Sequence, residues 1–134
     1  MIIRQLTAFV ENRKGKFAEI AKLMGDNNVN MLSFTVSENE DFGLVRILVG
    51  PQDVDRTYKL LTDNNYAVSL NNVIYFKCPN SPGALASVME RLYEAGAFVD
   101  YMYAHSDLGG DVSRVVIRAE EEGLAERIVS EIFK

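Results

Sequence analysis

The chain has few of the residues that form covalent cross-links and metal centres. Its 134 residues include one cysteine, Cys78, one histidine, His105, and three prolines. A single cysteine excludes an intrachain disulfide and is typical of a reducing compartment. The His, Cys, Asp and Glu residues lack the spacing of a metal site, and neither a G-x-x-x-x-G-K nor a G-x-S-x-G motif occurs. We therefore expect no metal, no cofactor and no catalytic centre.

The chain also lacks an excess of positive charge. Its net charge is −5, and the cluster of Arg13, Lys14 and Lys16 is too small to give the basic surface that non-specific nucleic-acid binding needs. The N-terminal segment lacks the long apolar core of a signal peptide, and no stretch reaches the length of a membrane span. We expect a soluble, cytoplasmic protein that binds neither nucleic acid nor membrane.

What the chain does have is an internal repeat. Gly15 maps onto Gly83 (83 − 15 = 68). The same offset relates further pairs: Asn12 and Asn80, Phe17 and Leu85, Ile20 and Val88, Met24 and Leu92, Arg46 and Arg114. A fixed period indicates two copies of one supersecondary unit. Because each copy is too small to bury a robust core alone, we expect the copies to pack on each other or on a second chain.

Apolar periodicity predicts the order β-α-β-β-α-β in the first copy. The predicted strands span residues 2–10, 31–36, 43–49 and 66–70, and the helices span 16–27 and about 51–64. Strand 43–49 is nearly all apolar, which predicts a central position. Asn71 and Asn72 are predicted to form a tight connection to the second copy, whose strands span 73–78, 98–105 and 112–118. Its helices start near Gly83 and at 120, and the chain ends before a counterpart of strand 66–70, so the second sheet has three strands from this sequence unless the natural protein continues.

This order folds as a ferredoxin-like unit, in which four antiparallel strands carry two helices on one face. We therefore predict an α+β protein of two ferredoxin-like repeats, residues 1–71 and 72–134, packed as a pseudo-dimer. The second repeat lacks its last strand, and the open edge of its sheet would need covering.

The sharpest local motif lies between a strand and a helix, at residues 80–85. Pro82 fixes φ and Gly83 permits a tight turn. The N–H groups of Gly83, Ala84 and Leu85 should then point outward from a helix N-terminus, where a carboxylate or phosphate binds well. The alternative is that Asn80 or Ser81 only caps the helix.

The pattern N-x-P-G-x-L-x-x-V at residues 80–88, the β-α-β-β-α-β order and the tandem copies resemble ACT domains, which are small regulatory modules that bind amino acids. In that family the first loop of one module faces the second strand of another. The resemblance implies that the loop at 80–85 faces residues 31–34, and that the loop at 12–17, which lacks the proline, faces residues 98–102. The motif and the resemblance together give these candidate ligand-binding residues: Asn80, Ser81, Gly83, Ala84, Leu85, Asn12, Gly15, Leu32, Ser33 and Asp100.

The resemblance implies a stand-alone tandem ACT-like protein that binds a small ligand, an amino acid, at the repeat interface. A metabolic enzyme or regulator is the implied target, and we expect a homo-oligomer. Asp100 occupies the position of Leu32, where it would pair with a ligand's ammonium group or with Arg13 or Lys14, or else lie in water.

Two other functions remain open. The repeats would serve as an oligomerisation or interaction scaffold without a ligand, or as an enzyme, since ferredoxin-like folds also host acyl-phosphate hydrolysis. Arg13 beside Asn12 is the feature that such an enzyme would use. His105 is expected at a surface turn, Cys78 in a packed position, and Arg46 and Arg114 in structural roles.

Overall fold

The computed structural model describes residues 1–11, 13–38 and 42–133. The elements, in chain order, are β1 (Ile2–Glu11), α1 (Lys16–Asp26), β2 (Met31–Glu38), β3 (Phe42–Val49), a 3₁₀ turn (Pro51–Asp53), α2 (Val54–Asp63), β4 (Ala67–Pro79), α3 (Ala84–Glu94), β5 (Val99–Ser106), β6 (Val112–Ala119) and α4 (Glu122–Ile132). No helix in this part of the chain is both long enough and apolar enough to cross a membrane.

The chain divides into two compact units, and the first unit is Arg4–Asn71. Its strand order is β2-β3-β1-β4, so β3 lies between two strands, as its apolar sequence predicts. Alternate residues of β1 and β3, such as Leu6 and Ile47, point to one face and form a core with Ile20 of α1 and Leu61 of α2. Each of these four side chains is fully buried, and burial of one such side chain contributes roughly 1.5–3 kcal/mol.

The second unit consists of Met1–Ile3 and the chain from Asn72 onward. Its strand order is β1-β4-β6-β5. Phe76 of β4 and Ile117 of β6 face Leu92 of α3 and Val129 of α4 in a second core. Each unit is therefore α+β with a ferredoxin-like arrangement, as the order of elements predicts.

Within the second unit, Met1–Ile3 occupies the place of a fourth strand. The described residues after α4 add no strand, so residues from Asn72 onward supply three. Met1 lies beside β4 instead: its carbonyl accepts the Tyr75 N–H at 2.8 Å, and its ammonium group donates to the Tyr75 carbonyl at 3.1 Å and lies 2.9 Å from Oε2 of Glu126. Met1–Ile3 thus covers the β4 edge that the sequence predicted to be open.

The predicted tight connection at Asn71 and Asn72 is wrong, because both residues lie inside the continuous strand β4. The turn propensity of Asn-Asn is local, whereas strand pairing holds this segment extended. The Asn71 side chain takes part by accepting hydrogen bonds from Oγ1 of Thr7 at 3.2 Å and Oγ of Ser69 at 3.3 Å.

The offset of 68 does not hold along the whole repeat. In the second unit Lys77 pairs with Arg114, whereas in the first unit Phe9 pairs with Leu44. The residue numbers of the equivalent positions differ by 68 between β1 and β4 (77 − 9 = 68) and by 70 between β3 and β6 (114 − 44 = 70). The connection between β5 and β6 is two residues longer than that between β2 and β3, and Arg46 and Arg114 therefore stand on equivalent strands at different register positions.

Candidate functional site

The loop between β4 and α3 is a type II turn formed by Ser81, Pro82, Gly83 and Ala84. Gly83 has φ 86° and ψ −11°, and the Ala84 N–H donates to the Ser81 carbonyl at 3.2 Å. A type II turn requires a positive φ at its third residue and favours proline at its second. The Pro-Gly sequence therefore supplies the residue types that this turn needs.

The turn leaves part of the N-terminus of α3 open. No described side chain caps this helix, so the alternative in which Asn80 or Ser81 acts as the cap is wrong. Of the three N–H groups expected to point outward, that of Ala84 is already used by the turn. The N–H groups of Gly83 and Leu85 donate to no backbone carbonyl in the described chain. They remain as hydrogen-bond donors at the positive end of the helix dipole.

Asn80 ties this loop to the connection between β5 and β6. Its side-chain Nδ2 donates to the Gly110 carbonyl at 2.7 Å, and its main-chain N–H donates to the Asp111 carbonyl at 2.9 Å. One amide hydrogen is thus committed to a structural contact, and Oδ1 and the second amide hydrogen remain for a ligand. No local pattern in the sequence predicts this tether.

The loop between β1 and α1 repeats the same turn without proline. Gly15 has φ 85° and ψ −5°, the Lys16 N–H donates to the Arg13 carbonyl at 3.3 Å, and the Glu19 N–H donates to the Gly15 carbonyl at 3.0 Å. Lys14 stands where Pro82 stands in the second loop. Asn12, a predicted site residue, lies outside the described residues.

Charge distinguishes the two loops. Arg13 forms ion pairs with Glu11 at 3.2 Å and Glu19 at 3.4 Å, and Lys16 pairs with Glu19 at 3.3 Å. Glu19 lies in the first turn of α1, where its carboxylate interacts with the positive end of the helix as a bound anion would. The first turn of α3 contains no acidic residue, so an anion at the second loop meets no competing carboxylate there.

Leu32 and Asp100 are the bulge residues of β2 and β5. The β2–β3 ladder shifts register between Met31 and Ser33, and the β5–β6 ladder shifts between Val99 and Tyr101. The predicted equivalence of Leu32 and Asp100 is thus confirmed by the register. Bulges re-aim side chains next to binding sites, and Leu32 is 65% exposed.

Within one unit, the loop and the bulge lie at opposite ends of the sheet. In the first unit the turn follows the pair Glu11–Phe42, whereas the bulge adjoins the pair Met31–Val49. Seven residues of β3 separate the two ends, which is roughly 24 Å. Neither unit by itself therefore brings Gly15 to Leu32, or Gly83 to Asp100.

The remaining candidates lie apart from these loops or are buried. His105 is exposed, with Nε2 3.3 Å from Oδ1 of Asp107. Cys78 is packed in the core of the second unit, as predicted, and burial raises the pKa of its thiol. Across residues 1–11, 13–38 and 42–133, no group of three or more His, Cys, Asp or Glu side chains is placed to hold a metal ion.

A shallow groove in the first unit, of about 240 Å³, lies between the end of α1 and α2 and is lined by Asn27, Arg56, Lys59, Leu60 and Asp63. Its cations are engaged: Arg56 donates to the Asn27 carbonyl at 2.9 Å, and Lys59 lies 2.8 Å from Asp63, a hydrogen bond that raises the pKa of Lys59. We attribute a structural role to these contacts.

Comparison with known proteins adds a family and several similar structures. The family model of an ACT domain pair matches residues 1–132. The structure of protein BT0572 from Bacteroides thetaiotaomicron is 37% identical with a TM-score of 0.90, and the match covers 98% of this chain and 88% of that chain. No curated protein matches the chain.

Two regulatory subunits of aspartate kinase share the fold. The subunit from Thermus thermophilus, in its ligand-free form, is 12% identical with a TM-score of 0.72, and the match covers 100% of this chain and 98% of that chain. The subunit from Thermus flavus is also 12% identical, with a TM-score of 0.71 and coverage of 100% and 96%. At this identity the likeness concerns the fold alone.

Proposed function

The chain belongs to the ACT domain family, and we propose that it is a regulatory module whose loop at residues 80–85 binds the carboxylate of a free amino acid. The observation that carries the proposal is the type II turn at Gly83, which leads into a helix N-terminus without a side-chain cap. The N–H groups of Gly83 and Leu85 are then available to an anion, and the helix dipole favours negative charge at that point.

The amino-acid class comes from family membership and from the polar groups near the loop. A carboxylate on the helix end leaves the ligand's ammonium group to an acceptor, and Oδ1 of Asn80 is one. In the family the second strand of a different module faces such a loop, so we propose Asp100, exposed at the β5 bulge, and Leu32 with Ser33 at the β2 bulge as contacts for a ligand held by the loop of another module. We propose that the regulated partner is an enzyme of amino-acid metabolism, because the structural relatives include regulatory subunits of aspartate kinase.

We expect the loop at residues 12–17 to bind more weakly than the loop at 80–85. It has the same turn at Gly15 but lacks a proline that restricts φ before binding. Glu19 occupies the first turn of its helix and pairs with Arg13 and Lys16, so a ligand carboxylate would compete with Glu19 for these cations. For Arg13 to bind a ligand carboxylate in this loop, its ion pairs with Glu11 and Glu19 would have to break.

The competing function is an assembly scaffold without a small ligand. Leu32 is 65% exposed and Phe98 is 63% exposed, and such side chains favour burial against a second copy of the chain. We expect a homo-oligomer in either case, so light scattering does not distinguish the two functions. Ligand binding does.

The test is a thermal-shift panel of free amino acids, followed by calorimetric titration of the amino acid that raises the melting temperature. A ligand at a hundredfold excess over Kd stabilises the folded state by about 2.7 kcal/mol. Asn80→Ala should weaken binding by roughly 0.5–1.5 kcal/mol through a lost hydrogen bond. Asn64→Ala is the matched control, because Asn64 Nδ2 also donates to a backbone carbonyl, Leu60 at 2.8 Å. No shift with any amino acid would favour the scaffold.

A further inference from the structure

The helix-free face of the second unit's sheet carries two adjacent rows of side chains. Alternate residues of β4, β5 and β6 point away from the core that α3 and α4 cover. Strand pairing places them side by side across the three strands. The cationic row is Lys77 and Arg114, with the imidazole of His105 on the far side of Arg114, and the aromatic row is Tyr75 and Tyr103 on either side of Val116.

The cationic row has little opposing charge. Lys77 lies directly opposite Arg114, both side chains are exposed, and neither forms a hydrogen bond or ion pair with another described residue. His105, opposite Arg114 on the other side, contacts Asp107 at 3.3 Å. Like charges directly opposite each other in a sheet are destabilising. An anion bound between Lys77 and Arg114 would remove that repulsion. Two opposed cations of this kind are unusual in a chain whose net charge is −5.

The aromatic row lies next to the cationic row, two residues further along each strand. Two residues of an antiparallel strand span about 7 Å. Val116 is 4% exposed and separates Tyr75 from Tyr103, which are half-buried. A phosphate held by the cationic row would therefore lie about 7 Å from a base held by the aromatic row. The phosphate and the base of one nucleotide are joined over a similar span. Bases of every type stack on aromatic side chains.

We propose that this face of the second unit binds a nucleoside monophosphate. Lys77 and Arg114 hold the phosphate, and the base lies against Tyr75 or Tyr103. This site uses a different surface and a different ligand from the loop at residues 80–85, so failure of amino acids to bind that loop leaves it untouched.

The experiment is a calorimetric titration of the whole chain with AMP at low ionic strength. We expect AMP to bind, and adenosine and inorganic phosphate each to bind at least about tenfold more weakly. Arg114→Gln and Lys77→Gln should each weaken AMP binding by about tenfold, since each removes a charge-assisted hydrogen bond. Arg127→Gln is the matched control, because Arg127 is an exposed arginine on α4 of the same unit.

A second pair of variants tests the aromatic row. Tyr75→Leu should weaken AMP binding about tenfold through lost stacking, whereas Tyr93→Leu on α3, where Tyr93 is 83% exposed, should leave it unchanged. The proposal is overturned if AMP does not bind the parent chain, or if Arg127→Gln weakens binding as much as Arg114→Gln. Inorganic phosphate binding as tightly as AMP would also overturn it, because the base would then contribute nothing.

Discussion

Replacing Gly83 by alanine tests whether the loop at residues 80–85 depends on the left-handed backbone conformation at Gly83. Gly83 has φ +86°, and no atom beyond its two chain neighbours lies within 4 Å of the position that a Cβ would take. The substitution therefore adds no clash, and its effect comes from the left-handed backbone alone. That conformation costs an L-residue roughly 1–2 kcal/mol, and alanine returns about 0.4–1 kcal/mol by restricting the unfolded chain.

The expected net loss is about 1 kcal/mol of the free energy of unfolding, or a fall in melting temperature of about 4 °C. Urea unfolding followed by circular dichroism measures it. The matched control is Gly123→Ala in α4 of the same unit. A Cβ there also meets no atom within 4 Å, but φ is not positive, so alanine should stabilise the helix by about 0.5–1 kcal/mol.

The two glycines should thus respond with opposite sign to the same chemical change. If Gly83→Ala stabilised the chain as much as Gly123→Ala, the type II turn would not be a fixed feature of the folded state, and the argument for an exposed pair of N–H donors would fail. The same variant keeps every N–H group of the loop. If Gly83→Ala binds the amino acid more weakly, the cause is therefore a change in the geometry of the N–H donors and not the loss of one.

Two further predictions concern the second unit. Because burial raises the pKa of the Cys78 thiol and leaves it 3% exposed, a thiol reagent at pH 8 should label the native chain far more slowly than the urea-unfolded chain; equal rates would contradict the buried position. Glu126→Gln removes the ion pair with the Met1 ammonium group and should cost at most about 1 kcal/mol, a loss that shrinks in high salt; a salt-independent loss in urea unfolding would assign Glu126 a different role.

Much of the fold follows from local patterns. Apolar spacing located the four helices, and the glycines at 15 and 83 marked both turns, because those signals depend on residues near one another in the chain. The continuous strand β4 was missed at Asn71 and Asn72, since their turn propensity is local and the pairing that overrides it is not. A strand over residues 2–10 is predicted correctly, but for the same reason its sequence does not indicate that Met1–Ile3 join a sheet whose other strands start at Asn72.

The candidate site was predictable in part. The residue types at Pro82 and Gly83 specify a type II turn, so the turn could be read from the sequence. The tether from Asn80 to Gly110 joins residues 30 positions apart, and no periodicity predicts such a contact. The repeat predicts that Leu32 and Asp100 occupy equivalent positions, but the bulge at each is a property of strand pairing that the sequence does not indicate.

The two loops illustrate how one turn geometry supports unequal sites. Gly15 and Gly83 differ by 1° in φ (86 − 85 = 1), so the backbone alone gives both loops the same donors. Pro82 restricts the unfolded chain where Lys14 does not, an effect of about 0.4–1 kcal/mol on the cost of ordering the turn. Glu19 adds a carboxylate at the helix end of the first loop, whereas Asn80 adds a tether that holds the second. These differences favour an anion at Gly83. We therefore expect the loop at residues 80–85 to be occupied at a lower ligand concentration than the loop at 12–17.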